Sequence, residues 1–466
     1  MGIVKDLRAW IETVEREAPE ELVRVKKGVD PDQFEATAVM DKLESTGRTP
    51  AVLFESPKAL SRNNYGFKLL MNTFGTFSKM AMAFDLPPDT PRIQLMQEIL
   101  ERQDREKEMT ILSPREAPVN ENQVNGDDLD LNIFPMVRHV DMDGDRYFTP
   151  IVVSKNLVTG RYNISWNRMM YLDPRHLGIY MSPRHLWSYF RESEEAGKNL
   201  PIAVVLGHHP AFHMTGALLT PLDRDEYKVA GSFLDDDIRV TPSLSYGEEL
   251  YVPADAEIVI EGEIVAGQRT VEGPFGEYTG YSGPQRVSWL FEAKALNFRS
   301  DGIIIDIFPC KTEHLNAHLP IEASLLRTIR GAVPNVTDTR WVDSGGPLTI
   351  IIQMKKKVEG EPMRAANAAF SASNFIKIAI VVDEDIDLDN PKDVMWAVST
   401  RVQPESDVQI MKNLQGHVLD PSLRSEIRGS GMIIDATKPV DRPFPVKGGV
   451  PEDVLSKISL KDYLAT

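Results

Sequence analysis

The sequence predicts a mixed protein of α/β and β class, built from three regions. Residues 6–106 alternate between helical and strand patterns, residues 133–298 form short strands broken by Gly, Pro and Asp, and the last third returns to helix and strand. Because 466 residues exceed one ordinary hydrophobic core, two or three domains are expected. We place them at residues 1–115, 116–310 and 311–466, with the polar, turn-rich segment 113–130 at the first boundary.

The N-terminal region has the periodicity of a small α/β unit. Apolar residues that recur every three or four positions predict helices over residues 6–14, 32–43, 66–84 and 92–106. Alternating or continuous apolar runs predict strands over residues 21–25 and 50–54.

The pattern of the central region predicts a β barrel or sandwich with one inserted helix. Strands are predicted over residues 150–154, 162–166 and 202–206, and residues 169–172 and 178–181 form a hairpin. Ser182 as N-cap and Pro183 in the first turn predict the start of the inserted helix, which ends near Gly197.

The C-terminal region alternates again. Strands are predicted over residues 348–352 and 377–382, an alanine-rich helix over 363–373, and a helix that begins at Asn390-Pro391 and runs to residue 398. Residues 451–466 have the pattern of an amphipathic helix able to dock on a partner, which favours a homo-oligomer.

The composition predicts a soluble, cytoplasmic protein that handles small molecules. The net charge of −17 is spread along the chain, so it repels nucleic acid and anionic membranes, and neither is expected as a partner. The single cysteine, Cys310, excludes an intramolecular disulfide and fits a reducing compartment. We find no apolar core of a signal peptide and no apolar run of about 20 residues, the length that spans a bilayer.

The most informative segment is the loop at residues 271–280. Pro274 opposes a helix, Gly273 and Gly276 tolerate positive φ, and predicted strands at residues 257–260 and 286–291 flank the loop. The loop can therefore bring Glu272 and Glu277 together. Two carboxylates in one partly dry site repel, so one pKa rises and a proton donor lies beside an anion. The same segment also fits a glycine-rich turn with two solvated glutamates.

Histidine pairs offer a competing site. His209 and His213 are four residues apart, as are His314 and His318, a spacing that on a helix can hold a metal. Neither pair has the H-E-x-x-H arrangement, and Pro210 opposes a helix through the first pair.

Other familiar motifs are missing. The acidic run at residues 383–389 has Leu388 where a calcium loop needs Gly. The chain also contains no dinucleotide-binding, P-loop or nucleophile-elbow motif.

A second polar set lies upstream of the loop. Asn163, His185 and Glu226 combine hard oxygen with imidazole, a ligand set that suits Mn²⁺ or Mg²⁺. Arg168 could clamp a carboxylate with two parallel hydrogen bonds. His185 is preferred over His176, which ends a similar Pro-Arg-His run, because His185 opens a predicted helix and helix N-termini attract anions.

Together these residues resemble the UbiD family of prenylated-FMN-dependent decarboxylases. Glu272-Gly-Pro-Phe-Gly-Glu-Tyr-Thr-Gly280 is similar to the family motif, and the five-residue spacing of Asn163 and Arg168 matches the family as well. Further similar segments lie at residues 226–231, 252–262, 377–387, 396–401 and 419–422, so the resemblance covers roughly residues 130–425. His185 stands one residue before the metal-binding histidine of some relatives.

The resemblance implies a fold and an activity. The fold would comprise an N-terminal α/β lobe, a central split β-barrel cofactor domain of the flavin-reductase type, and a C-terminal α/β domain with an oligomerisation helix. The activity would be reversible, non-oxidative decarboxylation of an aromatic, heteroaromatic or α,β-unsaturated carboxylic acid, with release of CO₂. Arg168 would hold the carboxylate, Glu277 would donate the proton, and Glu272 would position Arg168.

The resemblance also implies cofactors and partners. Prenylated FMN would be bound with Mn²⁺ or Mg²⁺, with K⁺ as a further candidate, and a flavin prenyltransferase would supply the cofactor. A homodimer or homohexamer is expected. The implied metal ligands are Asn163, His185 and Glu226, and the implied cofactor-binding residues are Asn163, Ser165, Trp166, Asn167, Arg168, Arg184, His185, Glu226 and Lys377.

Two other functions are compatible with the sequence. A metal-dependent hydrolase would use the His314/His318 pair, and a catalytically silent chain would serve as one subunit of a multi-component carboxylase.

Overall fold

The computed structural model describes residues 4–61, 65–423 and 427–463. Within them the chain forms sheets of four, nine, three, two and five strands, with helices packed on them. The predicted mixed α/β class is confirmed.

The N-terminal region pairs early strands with a later one. A four-stranded sheet contains, in order, β1 (Leu22–Val25), β2 (Ala51–Phe54), β3 (Lys68–Met71) and β18 (Ile303–Asp306). Strand β18 comes from far along the chain and runs parallel to β3. Helix α1 begins where the Asp6 side chain accepts the N–H of Ala9, and it buries Leu7, Trp10 and Val14 on one face. The elements are α1 (Leu7–Glu17), β1 (Leu22–Val25), α2 (Glu35–Ser45), β2 (Ala51–Phe54), β3 (Lys68–Met71), α3 (Phe77–Ala83), α4 (Arg92–Gln103) and β4 (Met109–Ile111), with 3₁₀ turns at Pro19–Glu21 and Pro31–Gln33.

The predicted helix over residues 66–84 is wrong in its first half. Lys68–Met71 is strand β3, and only Phe77–Ala83 is helical. The apolar run of β3 is buried between β2 and β18, so pairing with neighbouring strands overrides the helical periodicity. Asn72, with φ 62°, turns the chain, and the Thr76 side chain then caps the helix.

The central region is dominated by an antiparallel sheet of order β6-β9-β10-β17-β14-β11-β7-β8, with β5 also paired to β17. Its edge strands β6 and β8 do not pair with each other in the described part of the chain, so a closed barrel is not confirmed. The elements are β5 (Asn122–Asn125), β6 (Tyr147–Phe148), β7 (Ile151–Lys155), β8 (Tyr162–Trp166), β9 (Met169–Asp173), β10 (His176–Ile179), α5 (His185–Glu195), β11 (Leu200–Gly207), α6 (Pro210–Thr215), α7 (Glu226–Leu234), β12 (Ile238–Ser243), β13 (Gly247–Pro253), β14 (Ile258–Glu272), β15 (Phe275–Gly276), β16 (Ser282–Gly283), β17 (Arg286–Phe298) and β18 (Ile303–Asp306), with 3₁₀ turns at Pro118–Glu121, Gly126–Asp128 and Leu131–Ile133.

Two helix starts in this region differ from the prediction. Helix α5 begins at His185 with Arg184, not Ser182, in the N-cap position, and no side chain of the described residues caps it. Pro210 does not oppose a helix but starts α6, because the first position of a helix needs no backbone N–H. The predicted hairpin of β9 and β10 is confirmed.

The C-terminal region forms a five-stranded sheet of order β19-β20-β21-β23-β22, whose three central strands run parallel. The predicted strands and helices between residues 348 and 401 are confirmed to within a few residues. The elements are α8 (Thr312–Asn316), α9 (Leu319–Ala332), β19 (Val336–Trp341), β20 (Thr349–Met354), α10 (Glu361–Ala372), β21 (Ile378–Asp383), α11 (Pro391–Arg401), α12 (Pro404–Asp407), β22 (Val408–Gln415), β23 (Arg428–Ala436) and α13 (Glu452–Leu455), with 3₁₀ turns at Gly346–Leu348 and Leu460–Asp462.

The continuous amphipathic helix predicted over residues 451–466 is wrong for the described part of that segment. Only Glu452–Leu455 is α-helical, and residues 464–466 lie outside the described residues. Leu455 and Leu460 are exposed, so no apolar face within the described part of the chain covers them.

The three regions share buried apolar contacts. One core cluster includes Trp10 from the N-terminal region, Val153 from the central sheet and Leu326 from α9. No helix among the described residues is both long and apolar enough to cross a membrane.

Candidate active site

Arg168 lies between β8 and β9 and contacts both glutamates of the 272–280 segment, which we call the acid loop. Its Nε donates to Glu272 Oε1 at 2.8 Å and its Nη2 to Glu272 Oε2 at 3.2 Å. Its Nη1 donates to Glu277 Oε1 at 2.5 Å. The guanidinium also lies 4.5 Å from the ring centre of Tyr180 and 4.8 Å from that of Phe275. One cation thus links two carboxylates on an aromatic surface.

The acid loop lies in the connection from β14 to β17 and is held by its own short strand pair. The β15 strand pairs with β16, and the N–H of Glu277 donates to Tyr281 O at 3.0 Å. Gly273 has φ 88°, a conformation that glycine adopts without strain. Gly144 lies so close that a Cβ there would be 2.4 Å from Gly273 O. The sequence therefore needs glycine at both contacting positions.

Burial and charge set the protonation of this site. Burial raises the pKa of Glu277 above its ordinary value, and the positive charges of Arg168 and Arg286 oppose that rise. Burial lowers the pKa of Arg168, but the charges of Glu277 and Glu272 outweigh it and leave the pKa raised. Glu277 is 6% exposed and Glu272 is fully buried, so the two carboxylates differ in access.

Asn163, His185 and Glu226 also come together. Asn163 Nδ2 donates to Glu226 Oε2 at 2.7 Å, and His185 Nδ1 lies 3.3 Å from Glu226 Oε1. Thr220 Oγ1 and the N–H of Ile164 also donate to the Glu226 carboxylate, both at 2.5 Å. The three side chains come from β8, α5 and the first residue of α7, which is capped by Asp225. The cluster thus brings together an amide, a carboxylate and an imidazole, three groups that can each ligate a metal ion.

Side-chain hydrogen bonds hold the segment between Asn163 and Arg168 in place. Ser165 Oγ donates to Asn167 Oδ1 at 2.7 Å, and Asn167 Nδ2 donates to Tyr180 O at 3.0 Å. Trp166 Nε1 is buried and has no hydrogen-bond acceptor among the described residues. A buried indole N–H normally has an acceptor, so this one is open to a ligand.

The other two predicted cofactor-binding cations, Arg184 and Lys377, have partners outside the two clusters described above. Burial lowers the pKa of Arg184, which precedes α5 and is near enough to Tyr278 for their charges to interact. Lys377 lies 3.0 Å from Asp420 Oδ2 and also donates to Ser422. No contact joins Lys377 to the Asn163 cluster in the described chain.

The two histidine pairs differ in environment, and only the His314/His318 pair contacts the acid loop among the described residues. His314 stacks on Tyr278 with ring centres 3.7 Å apart, and Tyr278 OH is 2.7 Å from His318 Nε2. Burial lowers the pKa of His318 to about 4. His209 and His213 are buried against His208, whose N–H donates to His213 Nε2 at 3.0 Å. Across the described residues, no group of three or more His, Cys, Asp or Glu side chains is arranged to hold a metal.

Sequence reasoning missed Tyr180, Tyr278 and Arg286 as parts of the site. Tyr180 lies between two guanidinium groups, since Arg286 is 4.6 Å from its ring centre and Arg168 is 4.5 Å away. Arg286 is the cross-strand partner of Glu272, and its buried Nε has no acceptor in the described structure. The sequence does predict a strand that begins at residue 286. It does not reveal the register of that strand against β14, and this register is what places Arg286 opposite Glu272.

Three family profiles together match most of the chain. They describe 3-octaprenyl-4-hydroxybenzoate carboxy-lyase and cover its N-terminal domain at residues 15–102, its Rift-related domain at 110–312 and its C-terminal domain at 314–436. A phenolic acid decarboxylase of Streptomyces sp. (strain D7) is 30% identical over 93% of this chain and 92% of its own length. One from Bacillus subtilis (strain 168) is 30% identical over 94% and 93%.

Solved structures agree with these sequence relatives. The UbiD-class enzyme HmfF from Pelotomaculum thermopropionicum, in complex with FMN, has a TM-score of 0.90 at 34% identity and covers 98% of this chain and 100% of its own. An evolved dimeric form of that enzyme, in complex with prFMN, has a TM-score of 0.87 at 33% identity over 99% and 100%. Fold and site thus define a carboxy-lyase. The chain belongs to the UbiD family.

Proposed function

We propose that this enzyme uses prenylated FMN to remove CO₂ reversibly from an aromatic, heteroaromatic or α,β-unsaturated carboxylic acid. The observation that carries the proposal is the hydrogen-bonded group of Arg168, Glu272 and Glu277, in which one buried cation joins two carboxylates. The relatives named phenolic acid decarboxylases and the structural neighbours in complex with FMN and prFMN support it.

The residues of the site suit a flavin cofactor. Trp166 has a buried N–H without an acceptor among the described residues. Arg184 supplies a positive charge just before α5, and Asn163, Ser165 and Asn167 present polar groups on one segment. When bound, prenylated FMN would supply an electron sink for the charge left by departing CO₂. The residues that would hold it are Asn163, Ser165, Trp166, Asn167, Arg168, Arg184, His185, Glu226 and Lys377.

A divalent cation fits the donor set of Asn163, His185 and Glu226. Mn²⁺ and Mg²⁺ accept the amide and carboxylate oxygens, and Mn²⁺ also accepts imidazole. Such an ion would offset the charge of the flavin phosphate, and Lys377 would add a second positive charge. K⁺ is a further candidate cation near the cofactor.

The protein's own part is orientation and proton transfer. Arg168 would hold the substrate carboxylate, and Glu272 would fix the Arg168 guanidinium through its two hydrogen bonds. The bond between the carboxylate and the neighbouring carbon breaks, CO₂ leaves, and Glu277 gives its proton to that carbon. Glu277 remains as a carboxylate beside Arg168, and in the reverse direction it takes the proton back.

We extend the proposal to organisation and partners. The three domains would span residues 1–115, 116–310 and 311–466, with the central one a split β-barrel. A flavin prenyltransferase would supply the cofactor, and a homodimer or homohexamer would be the working assembly.

Two competing functions have weaker support. A hydrolase at His314 and His318 lacks further His, Cys, Asp or Glu ligands to complete a metal site within the described residues. A silent carboxylase subunit would have no use for the intact Arg168–Glu277 pair.

The test is to co-express the chain with a flavin prenyltransferase and to assay the purified protein on a panel of aromatic, heteroaromatic and acrylic acids. We expect bound prenylated FMN by absorbance and mass spectrometry, together with CO₂ release from at least one acid. Loaded cofactor without CO₂ release across the panel would contradict the proposed activity. Stoichiometric zinc lost on His318→Ala, without flavin, would favour the hydrolase.

A further inference from the structure

Beneath the acid loop lies a buried charged network that the proposed chemistry does not use. His139, Asp143 and Asp306 are 2%, 5% and 1% exposed. His139 Nε2 is 2.5 Å from Asp306 Oδ1, and its Nδ1 is 3.6 Å from Asp143 Oδ2. One imidazole thus lies between two buried carboxylates.

The network reaches the acid loop through Asp143. Its Oδ1 accepts the N–H of Gly276 at 3.2 Å, and its Oδ2 accepts the N–H of His139 at 2.9 Å. Gly276 immediately precedes Glu277, so this hydrogen bond fixes the peptide next to the proposed proton donor. Glycine restricts the backbone least of all residues, so the position of Glu277 depends on such external contacts.

Gly144 and Tyr147, which lie close to Asp143 in the sequence, hold the carbonyl group of Pro274 in the same loop. The N–H of Gly144 donates to Pro274 O at 2.8 Å, and Tyr147 OH donates to the same oxygen at 3.0 Å. Tyr147 also packs on Phe275, with ring centres 4.6 Å apart. The segment from 143 to 147 therefore contacts the acid loop on both sides of Phe275.

The other end of the network is anchored in a different sheet. Asp306 ends β18, which pairs in parallel with β3 of the N-terminal sheet. Thr149 Oγ1 donates to Asp306 Oδ2 at 3.1 Å and accepts the N–H of Ile307 at 2.7 Å. The acid loop is thereby tied to a rigid element outside its own hairpin.

Charge balance requires a cation at the centre. Two buried carboxylates cannot both remain ionised without a nearby positive charge. Burial lowers the pKa of His139, but the charges of Asp306 and Asp143 outweigh it and raise the pKa to about 9. The protonated imidazole places a positive charge between the Asp143 and Asp306 side chains, and a hydrogen bond from the Gly276 N–H to a carboxylate is stronger than one to a neutral acceptor.

We propose that Asp143, held by His139 and Asp306, is a positioning residue for Glu277 and sets the rate of proton transfer without touching substrate or cofactor. This inference rests on the proposed decarboxylase function. It predicts a loss of kcat with little change in KM, because the contacts that bind the substrate remain in place.

The test compares Asp143→Ala and Asp143→Asn in holoenzyme co-expressed with a flavin prenyltransferase. We expect Asp143→Ala to lower kcat by about 100-fold, the scale of a small misplacement of a catalytic group, with unchanged cofactor content. Asp143→Asn should lose less, since its amide oxygen can still accept the Gly276 N–H. Asp145→Asn is the matched control, because Asp145 contacts Arg146 and no residue of the acid loop.

A second readout isolates the proton step. The product is incubated with enzyme in D₂O, and deuterium uptake at the carbon that lost CO₂ is followed by mass spectrometry. We expect this exchange to slow in parallel with kcat. Unchanged kcat and exchange in Asp143→Ala, or losses that match the loss of folded, loaded protein, would overturn the proposal. If Asp143→Ala does not fold, Asp143→Asn decides: a smaller, parallel loss of kcat and exchange supports the proposal, and unchanged kcat and exchange would overturn it. An inactive wild type would instead contradict the proposed function.

Discussion

The guanidinium of Arg168 donates a 2.5 Å hydrogen bond from Nη1 to Oε1 of Glu277. Its other edge donates two bonds to Glu272, which is fully buried, so the two carboxylates are held unequally. Glu272, which accepts two hydrogen bonds from Arg168, is suited to orient the guanidinium. Glu277, which accepts one and is slightly exposed, is suited to transfer a proton. The geometry therefore supports a division of roles that two glutamates in a loop do not reveal by themselves.

Arg168→Lys should abolish most turnover although it keeps the positive charge. Lysine lacks the planar fork that contacts Glu272 and Glu277 together. Unsatisfied buried carboxylates should also lower the unfolding free energy by about 3 kcal/mol, the usual cost of breaking a buried pair. Steady-state kinetics and chemical denaturation measure both effects. Wild-type kcat in a fully loaded Arg168→Lys enzyme would contradict the role of the fork.

His185→Ala should reduce bound manganese, because His185 lies against the Glu226 carboxylate. His176→Ala is a matched control, since His176 ends a similar Pro-Arg-His run but lies partly exposed in a hairpin beside Asp173. Metal content per chain by mass spectrometry measures the difference. Equal manganese in both variants would remove His185 from the proposed ligand set.

Arg286→Gln should move the alkaline limb of the kcat–pH profile to higher pH. The positive charge of Arg286 opposes the burial that raises the pKa of Glu277, so its removal raises that pKa further. A proton donor with a higher pKa stays protonated to higher pH. Val287→Thr, at the exposed next position, is the control. A limb that stays in place or moves to lower pH would contradict proton donation by Glu277.

His139→Gln should flatten the pH dependence of stability. The folded pKa of His139 is about 9 and its ordinary value 6.5, so the folded state binds the proton more tightly. Its stabilisation is complete below pH 6.5 and is lost as pH rises through 9, a change on the order of 3 kcal/mol. Chemical denaturation of wild type and variant across this range measures it. Parallel profiles would show that His139 is not protonated in the folded state.

Local sequence patterns predicted much of the fold. The C-terminal strands and helices and the β9–β10 hairpin follow from periodicity and turn residues, which are properties of neighbouring residues. The helix predicted over residues 66–84 is wrong in its first half because Lys68–Met71 is a buried strand between two others. One of those two strands lies more than 200 residues later in the sequence. That pairing leaves no mark on the segment itself.

The candidate site was predictable in its residue types and not in its supports. The spacing of Asn163 and Arg168 and the two glutamates pointed to residues that the structure brings together. The hydrogen bond of Asp143 to Gly276 joins positions 133 residues apart, and the pairing of Arg286 with Glu272 depends on register. Such contacts arise from tertiary geometry, which no local pattern encodes.

The most direct measurement is CO₂ release by loaded enzyme with Glu277→Gln, beside Glu248→Gln as a control at an exposed glutamate. Glutamine keeps the shape of the side chain but has no acidic proton to give. We predict that Glu277→Gln retains prenylated FMN and loses at least about 100-fold in kcat, while Glu248→Gln behaves as wild type. Wild-type CO₂ release by a fully loaded Glu277→Gln enzyme would contradict Glu277 as the proton donor.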